Sequence, residues 1–372
     1  MRTQVTRHDF LEMIQTVIDA VQTKVSVPVL STALMIVENN GCSLSATGPD
    51  LYVRTHRDGT PGSEGSITFP ARKTYEIVRE LPETELTLED DDGRFSISTG
   101  TGEYLFSGIP ASEFPPMPQT VEGVTFSLDG STLLRMITKV SFAASHDAAQ
   151  TNLGGVYWRI KPDSMILAAT DRHRLAFIRR EMDTAIAKPI EAILSLRSAT
   201  LLARLLKDGN TLQDVTLNQR QAYFRFDGAD MFTSLIEGPY ANIDTVMPGG
   251  DDVPILVPLP ELLASVKRVM ILSNQDHRHI RVRFNENEMT LVAVDRDSGT
   301  EAVERISIEY DGDELEIGYN ASYLLEILGK VEGEHARFRL RSPSIATVIE
   351  SAEQEQDESF FTLLMPLRVP EG

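Results

Sequence analysis

The chain has 372 residues, a formal net charge of −20 and one cysteine, Cys42. That length exceeds what one hydrophobic core usually serves and suits three subdomains of ordinary size. A single cysteine excludes an intrachain disulfide and multi-cysteine metal or iron–sulfur sites, so we expect a buried, inert thiol. The sequence shows neither a signal-peptide pattern nor an apolar run of the roughly 20 residues that a bilayer requires. It therefore predicts a cytoplasmic protein.

An amphipathic helix pattern occurs three times along the chain, at residues 6–22, 131–145 and 258–273. In the first copy Phe10, Ile14 and Val17 fall on one helical face. The copies are spaced by about 125 residues, which indicates a repeated subdomain and not a short solenoid unit.

Three further landmarks recur in the same order. A strand followed by an aspartate-containing turn is predicted at 44–56, 167–180 and 291–305, with turns near Gly48 or Asp50, Asp171 and Asp295. A second helix is predicted at 70–81, 197–206 and 320–328. Each copy closes with strands that end on a Met-Pro pair, namely Met117-Pro118, Met247-Pro248 and Met365-Pro366.

Strands are indicated where apolar and charged residues alternate, as in Ile280, Val282 and Phe284 between arginines. Asp-Gly pairs at 92–93, 227–228 and 311–312 are typical of hairpin turns, and we interpret the Gly-x-Gly at 100–102 as another. The sequence thus predicts an α+β fold of three repeated subdomains, each with two helices packed on antiparallel sheets. We place the subdomains at 1–121, 122–249 and 250–372, with rigid junctions near 121–124 and 249–253.

The net charge of −20 constrains function, because an acidic protein repels nucleic acid unless its charges are segregated. Lysines and arginines gather on the predicted helices, whereas the acidic runs at 83–92, 310–316 and 350–358 fall in loops and strand edges. The acidic runs fit a solvated surface equally well.

Several strings in the chain carry a more specific resemblance. They are FPARKTYEIVRELP (69–82), RFSISTGTGEYLFSGIPASEFPPMP (94–118), ATDRHRLA (169–176), ILSNQ (271–275), EIGYNASYLLEIL (316–328) and MPLR (365–368). In this order and spacing they resemble the bacterial DNA polymerase III β subunit family, the DNA sliding clamps, over essentially the whole chain.

The resemblance implies a processivity factor that is not an enzyme. Each chain would form half of a closed homodimeric ring of six similar units, with helices lining the hole and sheets outside. Such a ring encircles duplex DNA, so weak, sequence-independent contacts to phosphates suffice and permit sliding. It would tether the replicative polymerase, and the clamp loader and other proteins with clamp-binding motifs would also bind it.

Two sets of candidate residues follow from the resemblance. By their position on the predicted helices, the candidates for facing DNA are Lys24, Arg72, Lys73, Arg135, Lys139, Arg197 and Lys267. The positions that match the family's peptide pocket, an adaptable apolar groove with a few polar anchors, are Leu153, Thr170, His173, Arg174, Leu175, Val246, Asn320, Tyr323, Ile345, Leu363, Met365, Pro366, Leu367 and Arg368. Asn320 is also expected near a helix N-cap, and Asn320 and Tyr323 are expected to offer hydrogen bonds to a peptide.

Four positions at the pocket depart from the family pattern. Relatives commonly have a small residue in place of Arg172 and proline in place of Ala241. They have a basic residue in place of Thr245 and an aromatic ring in place of His277. A bulky cation at Arg172 would narrow or recharge the groove. These departures affect partner preference and leave the ring interpretation unchanged.

An enzymatic role is the first alternative, because TDRHR (170–174) and DHRH (276–279) bring aspartate and histidine together. The sequence has no Gly-x-Ser-x-Gly elbow, no Walker loop and no third ligand spaced to join His277 and His279, so we expect no catalytic, nucleotide, cofactor or metal site. A second alternative stays open: an interaction scaffold of the same fold that is not loaded onto DNA, such as a divergent or mobile-element clamp.

Overall fold

The computed structural model describes residues 1–22, 27–38, 41–59, 62–118, 121–147, 149–247 and 253–368. The first third contains β1 (Arg2–Thr6), β2 (Thr32–Glu38), β3 (Gly41–Thr47), β4 (Leu51–Asp58), β5 (Gly62–Ser63), β6 (Gly65–Pro70), β7 (Glu85–Asp91), β8 (Arg94–Ser98) and β9 (Glu103–Ser107), with helices α1 (Arg7–Val17) and α2 (Ala71–Glu80).

The second third contains β10 (Val124–Phe126), β11 (Gly155–Lys161), β12 (Ser164–Thr170), β13 (Arg174–Glu181), β14 (Ile190–Ser195), β15 (Leu212–Leu217), β16 (Gln221–Phe226) and β17 (Ala229–Ser234), with helices α3 (Gly130–Val140) and α4 (Leu196–Lys207). The last third contains β18 (Val253–Pro258), β19 (His279–Asn285), β20 (Glu288–Asp295), β21 (Thr300–Ser307), β22 (Leu315–Asn320), β23 (His335–Leu340), β24 (Thr347–Ser351) and β25 (Glu358–Leu364), with helices α5 (Leu259–Ile271) and α6 (Ala321–Leu328).

All six helices predicted from the sequence are confirmed, with bounds that shift by a few residues. Helix α1 begins where the Thr6 hydroxyl accepts a hydrogen bond from the Asp9 amide, and it buries Phe10 and Ile14. The first and third predicted helices run past their α-helical ends into 3-10 turns, at Ile18–Ala20 and Ser141–Ala143. A tightened last turn satisfies carbonyl groups that a helix end leaves free.

The strands form antiparallel sheets within two compact units. Unit 1 comprises Met1–Leu134 and Arg197–Glu237, and unit 2 comprises Arg135–Leu196 and Gly238–Gly372. Unit 1 has sheets in the orders β5-β1-β7-β8-β9 and β10-β15-β16-β17-β4-β3-β2-β6, and unit 2 has β14-β11-β12-β13-β25-β24-β23-β18 and β21-β20-β19-β22. The pairs β4–β17 and β13–β25 join strands of consecutive thirds, so each long sheet continues from one third into the next. The predicted boundary at 249/250 lies outside the described residues, and the predicted subdomain limits stay predictions.

One predicted turn is wrong. Asp92-Gly93 and Asp227-Gly228 close hairpins between neighbouring strands, with Gly93 at φ 80° and Gly228 at φ 85°. Asp311-Gly312 instead lies between β21 and β22, which are at opposite ends of their sheet. The tight hairpin of that sheet is at Asn287 (φ 58°), between β19 and β20. Asp-Gly pairs specify a turn locally, but strand order decides whether that turn is a hairpin.

Cys42 is buried, as predicted, and its thiol lies 4.0 Å from the Met13 sulfur. Unit 2 has a core that includes Phe284, Phe338 and Tyr319, between α5, α6 and the sheet faces. No helix within the described ranges is long and apolar enough to cross a membrane.

Candidate partner-binding site and DNA-facing surfaces

A structured turn joins β12 to β13 in unit 2. The Asp171 carboxylate accepts hydrogen bonds from the amides of His173 and Arg174, both at 2.9 Å. The Thr170 hydroxyl donates to the Arg174 carbonyl at 2.7 Å and accepts from the Arg172 amide at 3.1 Å. These bonds hold Arg172 in the left-handed region (φ 74°), a strained conformation for a residue other than glycine. Thr170 and Asp171 therefore fix the direction in which His173 and Arg174 leave the turn.

Arg174 is buried and links the turn to two neighbouring segments. Its guanidinium donates to Asp171 at 3.1 Å, to Glu326 of α6 at 2.9 Å and to the Phe142 carbonyl at 2.8 Å. The same group lies 4.4 Å from the centre of the Tyr323 ring and 5.2 Å from that of Phe142. A planar guanidinium can serve all these partners at once, which an ammonium cannot. Arg174 thus holds the turn against α6.

Tyr240 supports the turn from the other side. Its hydroxyl accepts a hydrogen bond from the Thr170 amide at 3.0 Å, and its ring stacks on Tyr157 with centroids 5.0 Å apart. Burial raises the pKa of Tyr240, so the hydroxyl stays protonated. The sequence interpretation missed this residue, and also missed Phe142 and Glu326. For Tyr240, the one signal that the sequence offers is its position a few residues before Met247-Pro248.

The chain's C-terminal segment completes the site. The Met365 amide donates to the His173 carbonyl at 2.9 Å, and the Leu367 amide donates to the Gly318 carbonyl at 2.8 Å. A side chain at Gly318 would lie 2.7 Å from the Leu367 carbonyl, so close approach of the segment requires glycine there. Both hydrogen bonds join backbone groups, and the Met365 side chain stays exposed.

The predicted pocket residues differ in accessibility. The exposed members are His173, Val246, Ile345, Met365 and Arg368, and the half-buried ones are Asn320, Tyr323, Pro366 and Leu367. The buried members are Leu153, Thr170, Arg174, Leu175 and Leu363. Leu175 and Leu363 are direct cross-strand partners, and the His173 and Tyr323 rings lie 6.2 Å apart. Exposed Met247, absent from the prediction, adds to the apolar surface next to Val246.

Asn320 has a structural role in this arrangement. Its amide oxygen accepts hydrogen bonds from Ser322 and Tyr323, which confirms the predicted N-cap of α6, and its amide nitrogen donates to the His277 carbonyl at 3.3 Å. The helix occupies this oxygen, so a hydrogen bond from Asn320 to a peptide, which stays a prediction, would come from the amide nitrogen.

The charges at this site are unevenly distributed. Arg174 is paired with Asp171 and Glu326, whereas Arg172, His173 and Arg368 are exposed at the rim. Half-buried His279, on the neighbouring strand β19, has a pKa lowered by burial and by Arg281 and His277. Its neutral form therefore adds no charge. The rim is cationic in a chain whose net charge is −20.

Two of the residues predicted to face DNA are engaged elsewhere. Lys139 is 5% exposed and donates to the Lys330 carbonyl at 2.5 Å, with Glu332 at 3.0 Å. Arg135 bonds the same Glu332 at 2.7 Å and the buried Glu358 at 2.8 Å. Hydrogen bonds to both glutamates raise the pKa of Arg135, and burial lowers that of Lys139. Both cations are thus paired with carboxylates within unit 2, and their assignment to the DNA-facing surface stays a prediction.

The other predicted cations are more accessible. Arg72 and Lys73 are exposed on α2, and Lys267 is exposed on α5. Arg197 is half-buried and donates to the Asp19 and Ala20 carbonyls, both at 3.0 Å. Lys24 lies outside the described residues.

A groove of about 860 Å³ opens beside Arg72 in unit 1, lined by residues of α1, α2 and the end of α4. Its lining residues are Glu12, Gln15, Thr16, Ile18, Asp19, Arg57, Arg72, Tyr75, Glu76, Arg79, Arg204, Asp208, Gly209, Asn210, Thr211 and Asp227.

Comparison with known proteins identifies the family. The family model described as DNA polymerase III beta subunit, N-terminal domain, matches residues 1–118, the central-domain model matches 127–242 and the C-terminal-domain model matches 244–368. The chain belongs to the DNA polymerase III beta subunit family. Its curated relatives are beta sliding clamps, so the chain is a sliding clamp, a processivity factor and not an enzyme.

Individual relatives agree along the whole chain. The beta sliding clamp of Pseudomonas putida is 30% identical over 99% of this chain and 100% of its own length, and that of Caulobacter vibrioides is 29% identical over the same shares. Among solved structures, the DNA polymerase III subunit beta of Pseudomonas aeruginosa superposes with a TM-score of 0.91 at 27% identity, covering 99% of this chain and 100% of that one. The Bartonella birtlesii clamp bound to griselimycin gives 0.93 at 28% identity, with the same coverage.

Proposed function

We propose that two copies of this chain join head to tail into a ring that encircles duplex DNA in the cytoplasm, and that unit 2 binds a short peptide carried by the polymerase, the loader and other partners. The ring proposal rests on two sheet edges, and the peptide proposal rests on the site around Arg174.

Strands β9 and β21 are the last strands of their sheets, β9 in unit 1 and β21 in unit 2. Leu105 on β9 is 44% exposed and Val303 on β21 is 41% exposed. Ile271, at the end of α5 beside β21, is 68% exposed. Unpaired edges with exposed apolar residues favour pairing with another chain. Because the two edges differ, their pairing is heterologous, and a heterologous contact closes into a ring when its rotation permits.

The solution mass tests the ring. We expect a particle of twice the 41.3 kDa chain mass, and we expect Ile271→Asp to reduce it to one chain by placing a charge in the contact. Val124→Asp, a control at another exposed edge valine, should leave the mass unchanged. A wild-type monomer, or an Ile271→Asp protein that stays dimeric at low concentration, would contradict the proposal.

Topological retention separates a sliding clamp from a scaffold that is never loaded. A ring loaded on nicked circular DNA should stay bound at high salt and escape when the circle is linearised, because its phosphate contacts are weak. Release from intact circles at the same rate as from linear DNA would favour the scaffold. Exposed Arg72, Lys73 and Lys267 are the described cations that we propose to contact phosphates.

The site in unit 2 suits an extended peptide with apolar anchors flanked by acidic residues. Val246, Ile345 and Met365 provide exposed apolar surface, and Arg172 and Arg368 provide the cationic rim. A fluorescein-labelled leucine peptide flanked by glutamates should bind, and Met365→Ala should weaken it by roughly 30-fold, on the order of 2 kcal/mol. Leu256→Ala, at an equally exposed leucine of β18, is the matched control. Equal affinities of the two variants would refute the assignment.

A further inference from the structure

The turn that joins β3 to β4 in unit 1 repeats the bonding of the turn in unit 2. The Thr47 hydroxyl donates to the Leu51 carbonyl at 3.2 Å, and the Gly48 amide donates to the same carbonyl at 2.7 Å. The Ser234 amide donates to the Asp50 carbonyl at 2.8 Å. The corresponding bonds in unit 2 run, in the same order, from Thr170 to Arg174, from Asp171 to Arg174 and from Met365 to His173.

The strand register extends this equivalence. Tyr52 of β4 is the direct cross-strand partner of Phe232 on β17, as Leu175 is of Leu363 in unit 2. Pro116 stands immediately before Met117-Pro118, as Val246 stands before Met247-Pro248. Leu175, Leu363 and Val246 therefore have aromatic or apolar counterparts at this place in unit 1, whereas Met365 corresponds to Ser234.

A cavity of about 130 Å³ lies at this place. Tyr52, Pro116, Pro118, Val121 and Phe232 form its apolar side, and its polar side is lined by Thr47, Gln221, Thr233 and Ser234. The rings of Tyr52 and Phe232 meet edge to face with centroids 6.3 Å apart. An apolar cavity of roughly 150 Å³ holds a benzene molecule, so this one accommodates a single leucine-sized or proline-sized side chain. Aromatic walls are typical of grooves that receive extended peptides.

The two turns differ in charge. Unit 1 has Pro49-Asp50 where unit 2 has Arg172-His173. Asp50 is the one charged side chain among the described residues that line the cavity. Its carboxylate lies 3.5 Å from Arg197, whose other nitrogen is bonded to the Asp19 and Ala20 carbonyls. A carboxylate beside a partly apolar cavity complements a cationic residue next to an apolar anchor.

We propose that this cavity is a second peptide-docking site, which binds an extended segment carrying one leucine-sized side chain next to a lysine or arginine. The proposal rests on the peptide-binding role proposed for unit 2, of which this site is the internal counterpart. The reversed charge gives the two sites different partners, so one chain can hold two proteins at once.

Two labelled peptides of equal length test it by fluorescence anisotropy on the full chain, one with leucine flanked by lysines and one with leucine flanked by glutamates. Pro116→Trp fills the mouth of the unit 1 cavity, and Val246→Trp does the same at the corresponding position in unit 2. Both positions are exposed. We expect Pro116→Trp to lower the affinity for the lysine peptide at least tenfold and to change the affinity for the glutamate peptide by less than twofold. Val246→Trp should have the reverse effects on the two affinities. If Pro116→Trp does not fold, Asp50→Asn replaces it and should weaken the lysine peptide about threefold or more.

Failure of the second site and failure of the proposed function are distinguishable. A lysine peptide that does not bind, or that is weakened by Val246→Trp and not by Pro116→Trp, overturns the second site. If Val246→Trp does not change the affinity for the glutamate peptide, the peptide site assigned to unit 2 is overturned instead.

Discussion

Replacing Arg174 by lysine tests whether the turn and α6 are held together as the structure indicates. Arginine makes hydrogen bonds with Asp171, Glu326 and the Phe142 carbonyl, and it contacts two aromatic rings. A lysine ammonium keeps the charge but reaches only part of this set. A hydrogen bond to a charged group contributes about 1.5–3 kcal/mol, and a buried cation–π contact contributes up to about 2 kcal/mol. Loss of one or two such contacts predicts a local cost of roughly 2–4 kcal/mol.

Hydrogen exchange followed by mass spectrometry measures that cost where it arises. A local loss of about 2 kcal/mol corresponds to roughly 30-fold faster exchange. We expect this acceleration in peptides that cover 170–175 and α6, with weaker binding of the glutamate-flanked peptide. Arg179→Lys is the matched control, because Arg179 is on the same strand and its ion pair with Glu181 is exposed. Exposed pairs contribute about 0–1 kcal/mol, so exchange in the control should stay near that of wild type.

The reasoning fails if Arg174→Lys and Arg179→Lys exchange alike. It also fails if exchange in Arg174→Lys accelerates uniformly over unit 2, since that pattern indicates global destabilisation and not release of one turn. Peptide affinity that falls without any change in exchange would indicate that Arg174 contacts the peptide directly.

Three further outcomes are expected. Tyr240→Phe removes the acceptor of the Thr170 amide and should accelerate exchange of that amide, at a cost of about 1–3 kcal/mol, while the solution mass stays unchanged. Lys139→Met should leave the salt dependence of DNA binding unchanged, because the Lys139 side chain is buried. Lys267→Met should reduce the slope of log K for DNA binding against log salt concentration by about 1, because the Lys267 side chain is exposed. The pKa of His279 is lower in the folded chain than in the unfolded chain, so the unfolded chain binds more protons below pH 6.5. The melting temperature of the wild type should therefore fall more steeply towards pH 5 than that of His279→Gln. Parallel curves of melting temperature against pH would contradict this.

The helices were predictable from sequence because their determinants are local. The period of apolar residues and the caps at Thr6 and Asn320 lie within a few residues of each helix. The Asp311-Gly312 turn shows the limit, since its residue types are those of a hairpin and the order of strands in the sheet makes it a crossing connection.

The site was predicted in part for the same reason. Short strings placed the turn at 170–174 and the C-terminal segment correctly beside each other, and the Met365–His173 bond joins them. Arg135 and Lys139 lie on the predicted helix, but their partner Glu332 is almost 200 positions away in sequence. Distant carboxylates that neutralise a cation leave no local pattern, and neither does the contact of Tyr240 with Thr170.

The ion pairs of Arg135 and Lys139 alter how the net charge of −20 relates to DNA binding. Sequence alone counts Arg135 and Lys139 as available to phosphates, yet both charges serve Glu332 and Glu358 within unit 2. Lys139 is buried and Arg135 is bonded to buried Glu358, so contact with a phosphate would require both cations to leave these partners. Fewer cations then remain to contact phosphates. Affinity built on so few contacts is low, so we expect a clamp of this composition to depend on enclosure of the duplex, and not on attraction, to stay bound.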